Sequence, residues 1–197
     1  MYTPKAFACE DTAQLHFLME AYPFALLITP DGALTHIPLL LLPAEGEQGT
    51  LFGHVARRNP QAESLKELKV ATAVFSGPHG YVSPRWYETE QAVPTWNYAA
   101  VHAHGSVRII EGKEFLARLW QLLDRYEPAG WQTRMPAEYL QKQLLGIVGF
   151  ELTIEGLEGK LKLSQNKSQA DIVGAITGLE AEGNTELVAL MREVNAL

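Results

Sequence analysis

Phe24-Ala25-Leu26-Leu27-Ile28-Thr29-Pro30-Asp31-Gly32-Ala33-Leu34-Thr35-His36-Ile37-Pro38 is the stretch on which the reading of the fold turns. Phe24 to Thr29 is apolar and rich in strand-forming side chains, and Ala33 to Leu42 resumes in the same manner. Between them Pro30-Asp31-Gly32 supplies a fixed φ, a side-chain acceptor and a residue free to take positive φ. This predicts a β-hairpin. Pro38 has no N–H to give to a ladder, so it marks an edge, a bulge or a gap facing a ligand.

Outward from the hairpin, Asp11 and Gln14 have capping-box spacing, and Leu15, Leu18, Met19 and Tyr22 share one helical stripe. Thr50 to Val55 reads as a third strand, followed by a short helix that starts at Asn59-Pro60, with Asn59 as cap. Lys69 to Ser76 alternates as a fourth strand, and Gly77 to Tyr98, rich in Gly, Pro, Trp and Tyr, reads as a long ordered loop. Ala99 to Ile110 is a fifth strand. Phe115, Leu116, Leu119, Trp120, Leu122, Leu123 and Tyr126 then form a wide helical stripe. Another helix is expected over Pro136 to Leu145, a sixth strand over Ile147 to Ile154, and two short helices from about residue 170, joined near Gly183-Asn184. Hairpins and isolated helices without regular strand–helix alternation predict an α+β, mainly β fold: an antiparallel barrel with peripheral helices, not a doubly wound sheet. Closing the barrel would also remove exposed edges.

The chain has 197 residues, 47% of them hydrophobic, which suits a single domain over 1–197 with a helical C-terminal segment. No apolar run approaches the roughly 20 residues of a membrane-spanning helix. Met1-Tyr2-Thr3-Pro4 lacks a signal-like pattern and the only cysteine is Cys9, so a cytoplasmic location is expected. With 23 acidic and 16 basic residues the net charge is −7, which disfavours a nucleic-acid partner unless the basic groups gather on one face.

Four segments carry candidate chemistry. In Gly53-His54-Val55-Ala56-Arg57-Arg58-Asn59-Pro60 a strand ends, two arginines follow and a helix begins, so free amides, the helix dipole and a guanidinium fork would face one phosphate. The alternative is two solvated arginines beside an ordinary cap. Thr35-His36-Ile37-Pro38 supplies either an irregular strand along a flat ligand or a plain sheet edge. Pro94-Thr95-Trp96-Asn97-Tyr98 either covers a cofactor or packs on the barrel. In Gly159-Lys160-Leu161-Lys162-Leu163-Ser164-Gln165-Asn166-Lys167 the leucines take one face and Lys160, Lys162 and Ser164 the other, facing a polar ligand edge or solvent. His102 and His104 share a strand face, but no acidic or cysteine partner stands at ligand spacing, so no metal is expected.

Taken together and in this order, the four segments resemble the PaiB-like FMN-binding split-barrel family, a relative of the pyridoxamine-phosphate-oxidase-like flavin proteins, and the similarity extends over nearly the whole chain. The resemblance implies a six-stranded antiparallel split β-barrel, a homodimer, and FMN held between subunits. It places the FMN phosphate on Arg57, Arg58 and Asn59, with His54 in the same motif, and the ring along Thr35, His36, Ile37 and Pro38. Trp96, Asn97, Lys160, Gln165 and Asn166 would complete the site. Such proteins are described as transcriptional regulators. The final helix carries Glu186, Glu193 and one Arg192, so direct DNA reading is doubtful and an indirect effect through flavin or a partner is the expected mode. Two further readings follow from the same resemblance: a flavin-dependent oxidoreductase acting on a small metabolite, and a haem-binding protein with His102 or His104 as axial ligand.

Overall fold

The hairpin forms as its sequence dictates. In the computed structural model, which describes residues 1–134 and 136–197 but not the side chains of Gln132 and Thr133, β2 (Phe24–Ile28) pairs antiparallel with β3 (Leu34–Pro38). Gly32 takes φ +84, and the Asp31 carboxylate accepts from the Thr29 hydroxyl at 2.6 Å. The second half of the hairpin is not one strand. Pro38 cannot continue the ladder, the Leu39 amide turns to the Pro23 carbonyl at 2.9 Å, and Leu40 begins a separate strand, β4 (Leu40–Leu42). β3 stays with β2, whereas β4 pairs with β5 (Thr50–Ala56).

That break is one reason the sheet has eight strands among the described residues and not the six expected. The other is β1 (Ala8–Cys9), a two-residue strand paired with β8. The remaining strands are β6 (Val70–Val82), β7 (Thr95–Ile110) and β8 (Ile147–Lys162), and the order is β3-β2-β6-β7-β8-β5-β4. Every pairing with a defined register is antiparallel, so the α+β class and the antiparallel sheet stand.

The expected loop over Gly77 to Tyr98 is mostly strand: β6 runs on to Val82, β7 begins at Thr95, and only residues 83–94 connect them. Glycine hides the strand in the sequence because it replaces an inward side chain. At Gly80 a Cβ would stand 2.6 Å from the Asn184 amide and 3.0 Å from Leu187, so the neighbours fill the place a side chain would take. β8 likewise outruns its expected end at Ile154.

The chain divides into two compact units. Residues 16–75 and 102–157 form one, whose core gathers Leu40, Phe52, Ile110, Phe115, Leu119 and Leu122. The last three belong to α3 (Gly112–Leu123), so the helical stripe read from the sequence is the face it buries. A carboxylate clamp ties this helix to the sheet: Glu151 of β8, 3% exposed, accepts from Arg118 Nε at 2.7 Å and from Arg108 of β7 at 2.6 Å. α2 (Gln61–Leu68) is also in this unit, as is α4 (Ala137–Leu144).

Residues 1–15, 76–101 and 158–197 form the other unit. Here α5 (Gln169–Ala181) and α6 (Thr185–Val194) bury Ile172, Ala175, Ile176 and Leu179 and Leu187, Val188, Leu190 and Met191 respectively. The connection 83–94 is fastened to α5 by Asp171, which accepts from the Glu88 and Thr89 amides at 2.9 and 3.1 Å and from the Thr89 hydroxyl at 2.6 Å. α1 (Thr12–Ala21) starts where Asp11 caps the Ala13 amide at 2.9 Å. Gln14 does not complete the capping box; its Oε1 takes the Cys9 thiol at 3.1 Å.

Candidate functional site

Two of the four sequence motifs meet in the unit built from residues 16–75 and 102–157. Asn59, between β5 and α2, donates from Nδ2 to the Thr35 hydroxyl of β3 at 2.8 Å, while its Oδ1 caps the Gln61 amide at 3.0 Å. The first turn of α2 is then locked onto the hairpin. Gln61, 1% exposed, donates to the Ala33 carbonyl at 2.8 Å and the Leu27 carbonyl at 3.2 Å, and Ser64 donates to Asp31 at 2.5 Å. The Ser64 and Thr29 hydroxyls hold the Asp31 carboxyl below the usual aspartate range. Neither Gln61 nor Ser64 belonged to a recognisable motif; only their phase in the helix after Pro60 could have singled them out.

The turn differs from the cradle of free amides that the sequence implied. The amides of Arg57, Asn59, Ala62 and Glu63 donate to the carbonyls of Gly146, Ala56, Asn59 and Pro60, and that of Gln61 is held by the Asn59 side chain. The helix end therefore has no amide to spare for an anion, whereas the Arg58 amide donates to no described residue. The two arginines are not equivalent. Arg57 donates from Nε to the Leu145 carbonyl at 2.7 Å and from Nη2 to that of Ile147 at 2.9 Å, anchoring the start of β8. Arg58 is exposed and has no hydrogen bond or ion pair among the described residues. It is the cation still available to a ligand.

His54, on β5, is half-buried, and its Nδ1 has no hydrogen-bond partner among the described residues. Burial holds the imidazole below its ordinary pKa, which favours the neutral ring. His36 is exposed and stacks on Phe24 at 5.9 Å; Pro38 is exposed and Ile37 buried in the alternation of β3. A cavity of about 240 Å³ in the same unit has Arg57 at its wall among Ile109, Phe115, Leu144 and Leu145.

The other two motifs lie in the unit of residues 1–15, 76–101 and 158–197. Trp96 is about half-exposed and stacks on His79 at 5.9 Å, with Tyr81 edge-on at 6.3 Å. Lys160 donates to the Tyr2 carbonyl at 3.1 Å and stands over the Tyr98 ring at 5.3 Å. Gln165 is occupied locally, accepting from the Leu163 amide at 2.7 Å and donating to the Leu161 carbonyl. The leucines of this segment are buried as expected, but Ser164 does not share the half-buried face of Lys160 and Lys162; it is buried with φ +70 and turns the chain at the end of β8. Asn97, also buried, donates to the Ser164 hydroxyl at 2.9 Å. Asn97 and Asn166 border a cavity of about 190 Å³ that also takes in Tyr87, Lys162 and Lys167. Tyr87 could not be recognised from local pattern as a neighbour of these residues, since it lies in the irregular connection between β6 and β7.

Of the histidines considered for metal or haem, His104 lies against Gly156, whose missing Cβ would fall 2.0 Å from the imidazole Cε1. No group of three or more His, Cys, Asp or Glu side chains with ligating geometry occurs among the described residues. No helix among them is long and apolar enough to cross a membrane. In α6, Arg192 is paired with Glu180 of α5 at 2.7 Å.

This arrangement is an α+β fold shared with known cofactor-binding structures. The chain is similar to the flavocytochrome Anf3 from Azotobacter vinelandii, with TM-score 0.61 and 16% identity over 85% of this chain and 75% of that one. It is similar also to the FAD and heme binding protein from Mycobacterium smegmatis, with TM-score 0.58 and 20% identity over 84% and 78% of the two chains. At such identities the likeness speaks for the fold. Sequence comparison carries the assignment further: the chain belongs to the FMN-binding family described as "Putative FMN-binding domain", which matches residues 1–156. It is 33% identical over 192 residues to the "Protease synthase and sporulation protein PAI 2" of Bacillus subtilis (strain 168), a match covering 93% of this chain and 91% of that protein. The resemblance to the PaiB-like flavin proteins is thereby borne out.

Proposed function

We propose that this protein binds FMN with its phosphate at the β5–α2 turn and acts as a flavin-dependent regulator whose effect is indirect. The observation that carries the reading is the unpaired Arg58 beside a turn welded to the hairpin by the Asn59–Thr35 bond at 2.8 Å. That bond brings together two motifs separated in sequence, one suited to a phosphomonoester and one to a flat ring. The residues fit the group: Arg58 supplies the charge, Arg57 a remaining N–H, and β3, last in the strand order, has a ladder partner on one edge alone among the described residues. The unpartnered His54 Nδ1 adds a polar atom on the same strand. In the other compact unit, Trp96 of β7 presents an aromatic face and Lys160 of β8 a charge.

FMN when bound supplies one- or two-electron redox chemistry. The chain's own part is to hold the phosphate, orient the ring and keep His54 neutral near it. The family match from residue 1 to 156 runs through both compact units, which supports reading the chain as one flavin-binding module. A homodimer is part of this proposal. β3 ends the strand order, and Phe24 and Leu34 on the hairpin are 65% and 61% exposed, an uncovered apolar edge of the kind that a second copy would cover. The name of the Bacillus relative points to control of protease synthesis and sporulation. Here the effect is assigned to flavin state or a protein partner, because α6 commits Arg192 to Glu180 and buries four of its residues.

The test is direct. Purified protein titrated with FMN should quench and shift the flavin spectrum with one FMN per chain, and should sediment as a dimer. Folded protein that leaves micromolar FMN unbound would end the proposal.

A further inference from the structure

In the unit of residues 16–75 and 102–157, the start of α2 is tied to the hairpin by three side chains. Asn59 donates to the Thr35 hydroxyl at 2.8 Å, Gln61 to the Ala33 carbonyl at 2.8 Å, and Ser64 to the Asp31 carboxylate at 2.5 Å. The partners are every second residue from the turn into β3, met in reverse order from the helix. Three bonds of this kind fix one register between the two segments, because a slip along the strand would break all of them together.

The middle bond differs from the outer two. Gln61 is 1% exposed, whereas Asn59 and Ser64 are half-buried. Its Nε2 also serves the Leu27 carbonyl of β2 at 3.2 Å, so one amide spans both arms of the hairpin. The orientation of that amide is fixed. Turned over, its oxygen would face the Ala33 and Leu27 carbonyls, and the Thr29 hydroxyl, 3.3 Å away, already gives its proton to Asp31 at 2.6 Å. Oε1 is left without a partner among the described residues, which costs free energy. A Met or Leu side chain would fill the space without that cost, so the amide contributes direction and register more than burial. The backbone N–H of Gln61 adds to this by holding Asn59 Oδ1 at 3.0 Å, which aims Asn59 Nδ2 at Thr35.

Arg58 precedes Asn59 directly, and His36 to Pro38 follow Thr35 directly. The bonds made by Asn59 and Gln61 therefore set the spacing between the free cation and the open end of β3. A ligand that touches both segments gains from a fixed spacing, whereas a ligand that touches one of them does not. We infer that Gln61 is a positioning residue that makes this site select phosphorylated over unphosphorylated flavin, by holding the β5–α2 turn and β3 in one register. That role rests on FMN carrying its phosphate at the β5–α2 turn. Buried as it is, Gln61 acts through Asn59 and the hairpin, not by contact with the cofactor.

The experiment measures Kd for FMN and for riboflavin by fluorescence titration of the full-length protein, well below its unfolding temperature. Wild type should prefer FMN by at least about tenfold, as charge-assisted bonds to the phosphate require. Gln61→Met should weaken FMN by about tenfold and leave riboflavin within about twofold, so that the preference collapses. Equal weakening of the two flavins, the mark of a merely structural role, or an unchanged preference would overturn this role for Gln61. Should Gln61→Met fail to fold, Ser64→Ala removes the outermost bond and should lower the FMN preference at least about threefold; an unchanged preference there would overturn the role in the same way. Arg58→Ala tells the two proposals apart. If it weakens FMN while Gln61→Met does not, the role of Gln61 fails and the phosphate site stands; if it leaves FMN binding unchanged, the phosphate site fails and the role of Gln61 with it.

Discussion

Replacing Arg57 and Arg58 one at a time should separate anchoring from ligand binding, although the two are adjacent, alike in chemistry and both exposed. Arg58 is not engaged with any described residue, so Arg58→Ala should leave the fold intact and remove up to two charge-assisted bonds to a phosphate. Such bonds are worth about 1.5–3 kcal/mol to a charged partner, and exposure of the guanidinium keeps the total within that range for the pair. FMN affinity should therefore fall about tenfold to a hundredfold. Arg58→Lys, which keeps the charge but loses the fork, should recover part of it. Arg57→Ala removes donors at 2.7 and 2.9 Å from the Leu145 and Ile147 carbonyls. Its main effect should be a stability loss of about 1–2 kcal/mol, or a Tm lower by about 2–8 °C for a chain of this size. Fluorescence titration of FMN and thermal unfolding without FMN read the two effects independently. An Arg58→Ala variant with Kd within twofold of wild type, or equal loss of Tm in both variants, would refute the reasoning.

Three further outcomes follow from the geometry. Glu151→Gln should destabilise the protein by about 2–3 kcal/mol, below the roughly 3–5 typical of a broken buried pair, because Arg108 retains Glu114 and Arg118 retains Glu45; urea unfolding checks it, and a loss under about 1 kcal/mol would show that the clamp contributes little. The His54 pKa is lowered in the folded state, so the unfolded chain takes up the proton first; stability should be complete above the ordinary value of 6.5 and decline as pH falls through the folded value. Comparing urea midpoints at about pH 7.5 and about pH 5 for wild type and His54→Phe tests this, the variant losing that part of the slope. Asp171→Ala should speed thermolysin cleavage within residues 83–94 by at least about threefold, since three hydrogen bonds from Glu88 and Thr89 to one carboxylate hold that connection; an unchanged rate would mean other contacts suffice.

Much of the fold was written locally. The hairpin at Phe24–Pro38, the stripe of α3 and the cap at Asn59 depend on neighbours a few residues away: a proline that sets φ, a glycine that accepts positive φ, apolar side chains recurring every three or four positions. The PaiB-like motifs are legible for the same reason, as short runs with fixed order. What the sequence could not show is where glycine stands in for a neighbour's side chain. Gly80, Gly156 and Gly159 break the alternation of β6 and β8, yet the strands continue, because Leu187, His104 and Leu15 respectively occupy the missing places from elsewhere in the chain.

The same distinction applies to the candidate sites. The residue types of a phosphate site were evident in Arg57-Arg58-Asn59, but only the folded chain decides that Arg57 is occupied by the Leu145 and Ile147 carbonyls and that the amides of Arg57, Asn59, Gln61, Ala62 and Glu63 are already satisfied. The buried amide of Asn97, whose Nδ2 donates to Ser164 and Met191, 67 and 94 residues away, leaves no trace in any local pattern. Backbone preference and periodicity act over one turn of chain and are fixed by composition and order. Which donors remain unpaired depends on every other group brought within about 3 Å, and that is settled only when distant segments pack.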